Sequence, residues 1–187
     1  MAKKKKPSKR RTVDRRIPSG KSLHQYEFHS YDEWKQNRPR WLERIRVLID
    51  HGDIVQAQKL LSEEEIQAKL AAIDESDTES RFFVHCEVAM LLDDTDQAER
   101  ALRYYSDTLK IVNSAGVYNK IGKLYATLGQ CTKAVENFQK AEQLEPEGLY
   151  IWINLAKCLM GIGRPQETLR LLRKAISVNP QYREAYQ

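Results

Sequence analysis

One constant offset along the chain carries Asn119, Lys120 and Lys123 onto Ile153, Asn154 and Lys157. If both segments are helices in the same register, three lysines and two side-chain amides share one surface. The chemistry of such groups is recognition: ammonium and amide N–H groups donate hydrogen bonds to an anion, more strongly when charged. Ile153 among them would seat an apolar side chain of the same ligand. A merely solvated helix face is the competing reading of these residues. Groups that make or break bonds have less support. Asp93 and Asp94 adjoin Asp96 in what reads as a turn, and no Ser-His-Asp or Cys-His grouping has catalytic spacing. Gly20-Lys21-Ser22 ends like a phosphate-binding loop, but Arg15 stands where that loop needs its first glycine, and no strand precedes it. His24 and His29 lack a cysteine or carboxylate at ligand spacing, and His51, in the turn DHGD, reads as solvent-facing. Cys86, Cys131 and Cys158 form no CxxC pair and read as reduced, buried thiols. The chain is therefore expected to be a non-enzyme with no catalytic, metal or cofactor site.

The elements that must position the lysines are helices. YNKIGKLYATLGQ, residues 118–130, has helical apolar spacing, yet it places Gly122 in the middle, where glycine costs about 1 kcal/mol relative to alanine. A second helix approaching too closely for any side chain explains that cost. The arrangement recurs at the same offset as the lysines. Tyr118, Ile121, Gly122, Tyr125, Ala134, Phe138 and Pro146 become Trp152, Leu155, Ala156, Leu159, Thr168, Leu172 and Pro180, and only Thr168 departs in character. This pattern resembles the tetratricopeptide repeat: an aromatic, a Leu-Gly pair and a Tyr at helical spacing, then Ala, Phe and a closing Pro. Tyr118, Ile121, Tyr125 and Leu128 make the apolar stripe of the first helix, and Gly122 or Ala156 admits its antiparallel partner. Ala134 and Phe138 pack from the second helix, Gly129 or Gly163 caps the first, and Pro146 or Pro180 ends the pair.

The resemblance implies an all-α fold, a right-handed superhelix of antiparallel helix pairs whose concave face holds a protein or peptide ligand. Asn119, Lys120, Lys123, Asn154 and Lys157 then resemble the clamp by which some members of the family hold a peptide's terminal carboxylate. One pair upstream, the positions matched to Asn119 and Lys123 hold Phe83 and Glu87, and a glutamate there would oppose an anion.

Residues 115–187 are read as repeats (115–148, 149–182, and the start of a further one at 183–187), and 38–114 as degenerate pairs. In the first degenerate pair, Trp41, Ile45, Leu48, Gly52, Ala57 and Leu61 keep the spacing; in the second, Phe82, Cys86, Ala89, Ala98 and Leu102 are matched, with an Asp-rich turn and no glycine. The steps from Ala57 to Ala98 and from Ala98 to Ala134 are both longer than the step from Ala134 to Thr168, which implies insertions in the N-terminal units. Ser62 and Glu65 form a capping box for an inserted helix reaching about Ile73, followed by a polar loop, DESDTES. About nine helices are expected in all. QYREAYQ after Pro180 opens another repeat, with Tyr186 at its aromatic position, so the chain is expected to belong to a longer array or to leave that face for a partner.

The net charge of +5 is uneven, since residues 1–40 hold 13 Lys/Arg against 4 Asp/Glu. Residues 1–22 read as a disordered basic tail: an import signal, a contact to nucleic acid, or an inert arm. Residues 23–37 read as an aromatic-rich linker, with Tyr26, Phe28, Tyr31 and Trp34, that docks on the folded body or binds a partner. No apolar run is long enough to span a membrane and no secretory signal opens the chain, so the cytoplasm, or alternatively the nucleus, is the expected compartment. The functional expectation is an interaction scaffold, adaptor or assembly chaperone. The alternatives are a nucleic-acid- or ribosome-associated factor using residues 1–22, and the repeat module of a larger enzyme. The sequence leaves partner identity and oligomeric state open.

Overall fold

The computed structural model describes residues 31–180. Helices occupy 78% of them, and no strand occurs among them. In order the helices are α1 (Tyr31–Gln36), α2 (Arg40–Asp50), α3 (Ile54–Leu60), α4 (Glu63–Ala71), α5 (Thr78–Asp93), α6 (Ala98–Ile111), α7 (Ala115–Thr127), α8 (Cys131–Leu144), α9 (Leu149–Gly161) and α10 (Pro165–Val178). Four pairs, α2–α3, α5–α6, α7–α8 and α9–α10, pack in succession as a solenoid of helix pairs. The basic tail (1–22), residues 23–30 of the linker and residues 181–187, with Tyr186, lie outside the described residues.

Each pair turns the chain in the same way. Gly52, Gly129 and Gly163 take positive φ of 79°, 72° and 73°, and Asp96 takes 60° at the corresponding place. In every case the next residue's N–H reaches back to a carbonyl five positions earlier: Asp53 to Leu48 (2.8 Å), Gln97 to Leu92 (2.8 Å), Gln130 to Tyr125 (2.9 Å) and Arg164 to Leu159 (2.9 Å). This left-handed residue at the helix end satisfies carbonyls that the helix itself leaves open. Glycine takes the conformation without strain, and aspartate is among the few other residues that tolerate it.

The four turns set the register, and it corrects the second pair. Counted between turn residues, the steps from Asp96 to Gly129 and from Gly129 to Gly163 differ by a single position, and only the step from Gly52 to Asp96 is longer. The first unit alone therefore carries an insertion. The small contact residue of α6 is Ala101 and the large one Tyr105, both buried, whereas Ala98 is half-buried. The aromatic position of α5 is held by His85 and not by Phe82. A slip of three positions is close to one helical turn, so the wrong alignment still keeps apolar residues on the buried face.

The insertion is α4. Ser62 caps it by accepting from the Glu65 N–H at 3.3 Å, as the capping box predicts. It is pinned to α6, where the Tyr104 hydroxyl donates to Glu63 (2.9 Å) and Arg100 pairs with the same carboxylate (3.1 Å). DESDTES is not all loop: Asp77 caps α5, accepting from the Ser80 N–H at 3.0 Å. The tenth helix, α1, forms inside the segment read as a linker. Its Trp34 is buried and stacks on Phe83, with ring centroids 5.2 Å apart, so this aromatic docks on the body.

The glycine within α7 has the predicted neighbour. A Cβ on Gly122 would stand 2.6 Å from Cε1 of Phe138, a fully buried ring of α8. In the next pair Ala156 and Leu172 hold these two places, a larger residue facing a smaller one. Thr168, the exception in the pattern, is buried with its hydroxyl donating to the Arg164 carbonyl at 3.1 Å. Two apolar clusters result, one around α2–α7 and one around α8–α10, and Tyr125 borders both. Lys140 over Tyr118 (5.6 Å) and Lys174 over Trp152 (5.3 Å) repeat one cation–π contact at equivalent places of the last two pairs.

Candidate functional site

The first helices of successive pairs, α2, α5, α7 and α9, carry the face on which the lysines were expected. On α7, Lys120 and Lys123 are exposed and Asn119 is half-buried; on α9, Lys157 is exposed and Asn154 half-buried. The two amides meet, with Asn154 Nδ2 donating to Asn119 Oδ1 at 3.0 Å. This hydrogen bond ties α7 to α9 and sets Lys123 and Lys157 at equivalent places on adjacent helices. Ile153 does not contribute: it is 6% exposed and belongs to the α8–α10 core. The apolar seat expected from it is absent, because the helix turns that residue inward.

The register also changes what stands upstream. Six positions before each left-handed turn residue come Arg46, Met90, Lys123 and Lys157. Glu87 therefore matches Lys120 and Asn154, not Lys123, and the place of Asn119 is taken by Cys86, not Phe83. Arg46 is the cation that the sequence reading missed, although counting back from Gly52 would have found it. Its guanidinium bonds Asp94 and lies 3.4 Å from Glu87. Against the cost of burial, the hydrogen bond and charge of Asp94, and then Glu87, hold Arg46 above its ordinary range.

Glu87 is almost wholly buried, 1% exposed, and Arg38 (3.2 Å) and Arg46 (3.4 Å) reach its side chain from the residues before and within α2, as a buried acidic side chain requires. Asp93, in the last turn of α5, faces the lysines. Burial and the neighbouring Asp94 push its carboxyl above the usual range, and Lys120 and Lys123 pull it back. The face thus runs from an ion-paired cluster at α2–α5 to a cationic stretch on α7 and α9. Asp93, Asp94 and Asp96 remain a turn cluster, and Asp96 has the structural task of the left-handed position. Among the described residues no group of three or more His, Cys, Asp or Glu could hold a metal ion. No described helix is long and apolar enough to cross a membrane.

A sequence profile described as tetratricopeptide repeat matches residues 126–187. Residues 126–187 are tetratricopeptide-repeat sequence. The chain's helix pairs resemble solved repeat structures at low identity. A variant of a Podosopora anserina protein with nearly identical TPR-like repeats is 19% identical, with a TM-score of 0.62, covering 76% of this chain and 74% of that one. The MamA protein is 19% identical with a TM-score of 0.56, over 79% of this chain and 75% of that one. In sequence, the human protein O-mannosyl-transferase TMTC3 is 27% identical over 53% of this chain. The matched part spans only 13% of that protein's length. Tetratricopeptide-repeat architecture is in general that of a protein-interaction scaffold.

Proposed function

We propose that this chain is an interaction scaffold, an adaptor or assembly chaperone, that holds an extended acidic peptide across α7 and α9. The observation that carries the reading is the Asn119–Asn154 hydrogen bond, which aligns Lys123 and Lys157 as exposed cations on adjacent first helices. Lys120 adds a third charge, and the amide pair keeps Asn119 Nδ2 as a donor and Asn154 Oδ1 as an acceptor for a peptide backbone. Asp93 and Asp94 bound the site toward α5, so an acidic ligand would lie toward α9. With Ile153 buried, affinity rests on charge and backbone hydrogen bonds, which gives a moderate, salt-sensitive contact. The reading includes no catalytic step and no cofactor, and it places the chain in the cytoplasm.

The test is binding of labelled acidic peptides, followed by fluorescence anisotropy, for the wild type and for Lys123→Glu/Lys157→Glu. The double variant should lose binding while melting like the wild type. Unchanged affinity would return these lysines to the solvated face. The charge of residues 1–40 supports a second reading, a nucleic-acid- or ribosome-associated factor. Salt-dependent RNA binding that disappears on deleting residues 1–22 would favour it.

A further inference from the structure

The three cysteines are not equivalent in the fold. Cys86 is half-buried on α5, away from the other two, and burial pushes its thiol up to about 12. Cys131 and Cys158 are neighbours. Cys131 is the first residue of α8, and its Sγ lies 3.9 Å from where a Cβ on Gly161 of α9 would stand. Cys158 stands one helical turn before Gly161, which brings it to the same face of α9. It is 5% exposed, whereas Cys131 is partly open to solvent. Burial, and then the neighbouring Cys131 thiol, push the Cys158 thiol up to about 11.

We propose that Cys131 and Cys158 are the site of a reversible disulfide, formed by a peroxide, that links α8 to α9. The two cysteines belong to successive helix pairs. The reaction has two steps. The accessible Cys131 sulfur attacks a peroxide oxygen, the O–O bond breaks, and with hydrogen peroxide one water leaves as the sulfur becomes a sulfenic acid. The Cys158 sulfur then attacks the Cys131 sulfur, the S–S bond forms, the S–O bond breaks, and the departing hydroxide takes the Cys158 proton as a second water. Two thiols are oxidised and one peroxide is reduced. Exposure sets the order, because the oxidant meets Cys131 first and Cys158 waits beneath it. Since each pair touches its neighbours through the joint that this bond crosses, the oxidised chain has a fixed angle between α7–α8 and α9–α10.

The test uses the full chain with hydrogen peroxide, blocking of residual thiols by a maleimide, and peptide mapping without reductant. The expected result is loss of two thiols of three, one cross-linked peptide joining Cys131 to Cys158 within a single chain, and full recovery with dithiothreitol. The oxidised protein should melt at a higher temperature than the reduced one, since the bridge restricts the unfolded chain. Cys158→Ala should leave a Cys131 sulfenic acid that dimedone traps, and Cys131→Ser should leave the Cys158 thiol unreacted. Retention of all three thiols, a bond to Cys86 or to a second chain, or a dimedone adduct on Cys131 in the wild type would overturn the proposal. The map of the wild type decides the matter even if a variant fails to fold.

Discussion

Gly122 sets two residue-level effects against each other. Gly122→Ala gains about 1 kcal/mol of helix propensity, but the new methyl would stand 2.6 Å from the fully buried Phe138 ring. Overpacking of this kind costs about 1–3 kcal/mol, so the variant should be less stable by about 1 kcal/mol in urea denaturation. Phe138→Leu should relieve the clash, and the double variant should be more stable than the sum of the single ones by about 1 kcal/mol. Strict additivity would show that the ring moves aside. His85 gives a test in pH. Burial holds its imidazole below the ordinary 6.5, more than the Arg81 carbonyl and Asp107 raise it. A base with a depressed folded pKa contributes stability that is present above its unfolded pKa and lost as the pH falls through about 6.5 toward the folded value. Between about pH 7.5 and about pH 5.5 the wild type should lose more stability than His85→Gln. Equal loss would mean that His85 charges as freely in the fold as in the unfolded chain.

At the scale of the element, the turn between α5 and α6 stores strain that its three counterparts avoid. Asp96 is the one non-glycine residue at positive φ among the described residues, and it stands beside Asp93 and Asp94. Asp96→Gly should raise stability by about 0.5–1 kcal/mol, the reverse of the usual effect of glycine, because the left-handed conformation penalises a Cβ. A lower urea midpoint for the variant would show that the carboxylate has a contact worth more than the strain. This turn also marks where the sequence stopped being legible. Gly52, Gly129 and Gly163 announce three pairs, and the spacing of Tyr118 to Pro146 against Trp152 to Pro180 announces two of them in detail. Without a glycine, nothing in the linear pattern fixes α5 against α6, and a slip of nearly one turn passes unnoticed because it almost restores the helical face. The candidate lysines were legible for the same reason that the last two pairs were. Arg46 was hidden by the slip, and Ile153 was misjudged because helical periodicity gives spacing but not which flank of the stripe a neighbour will cover.

Across the whole molecule, cohesion is uneven. The α7–α8, α8–α9 and α9–α10 contacts are extensive, whereas α2 and α5 meet through few residues, with Arg46 of α2 and Arg38 just before it pairing with Glu87 beside the Trp34–Phe83 stack. Glu87→Gln leaves two guanidinium groups around a buried neutral amide. Breaking a buried pair costs about 3–5 kcal/mol, and with both arginines partly open to water the loss here should be at the lower end, about 3 kcal/mol. It should also be local. Amide hydrogen exchange should quicken in α2 and α3 while α7 to α10 keep their protection, and uniform acceleration would mean that the described residues unfold as one unit. The evenness of the later turns has a separate consequence. From Asp96 to Gly129 and from Gly129 to Gly163 the chain advances by nearly equal steps, each beginning and ending in one conformation. A duplication in the gene of the stretch coding for residues 130–163 would therefore add a whole helix pair with both of its joints already matched. The longer step from Gly52 to Asp96, which carries α4, has no such interchangeable ends, so growth or shortening of the array by recombination should be confined to the part after Asp96.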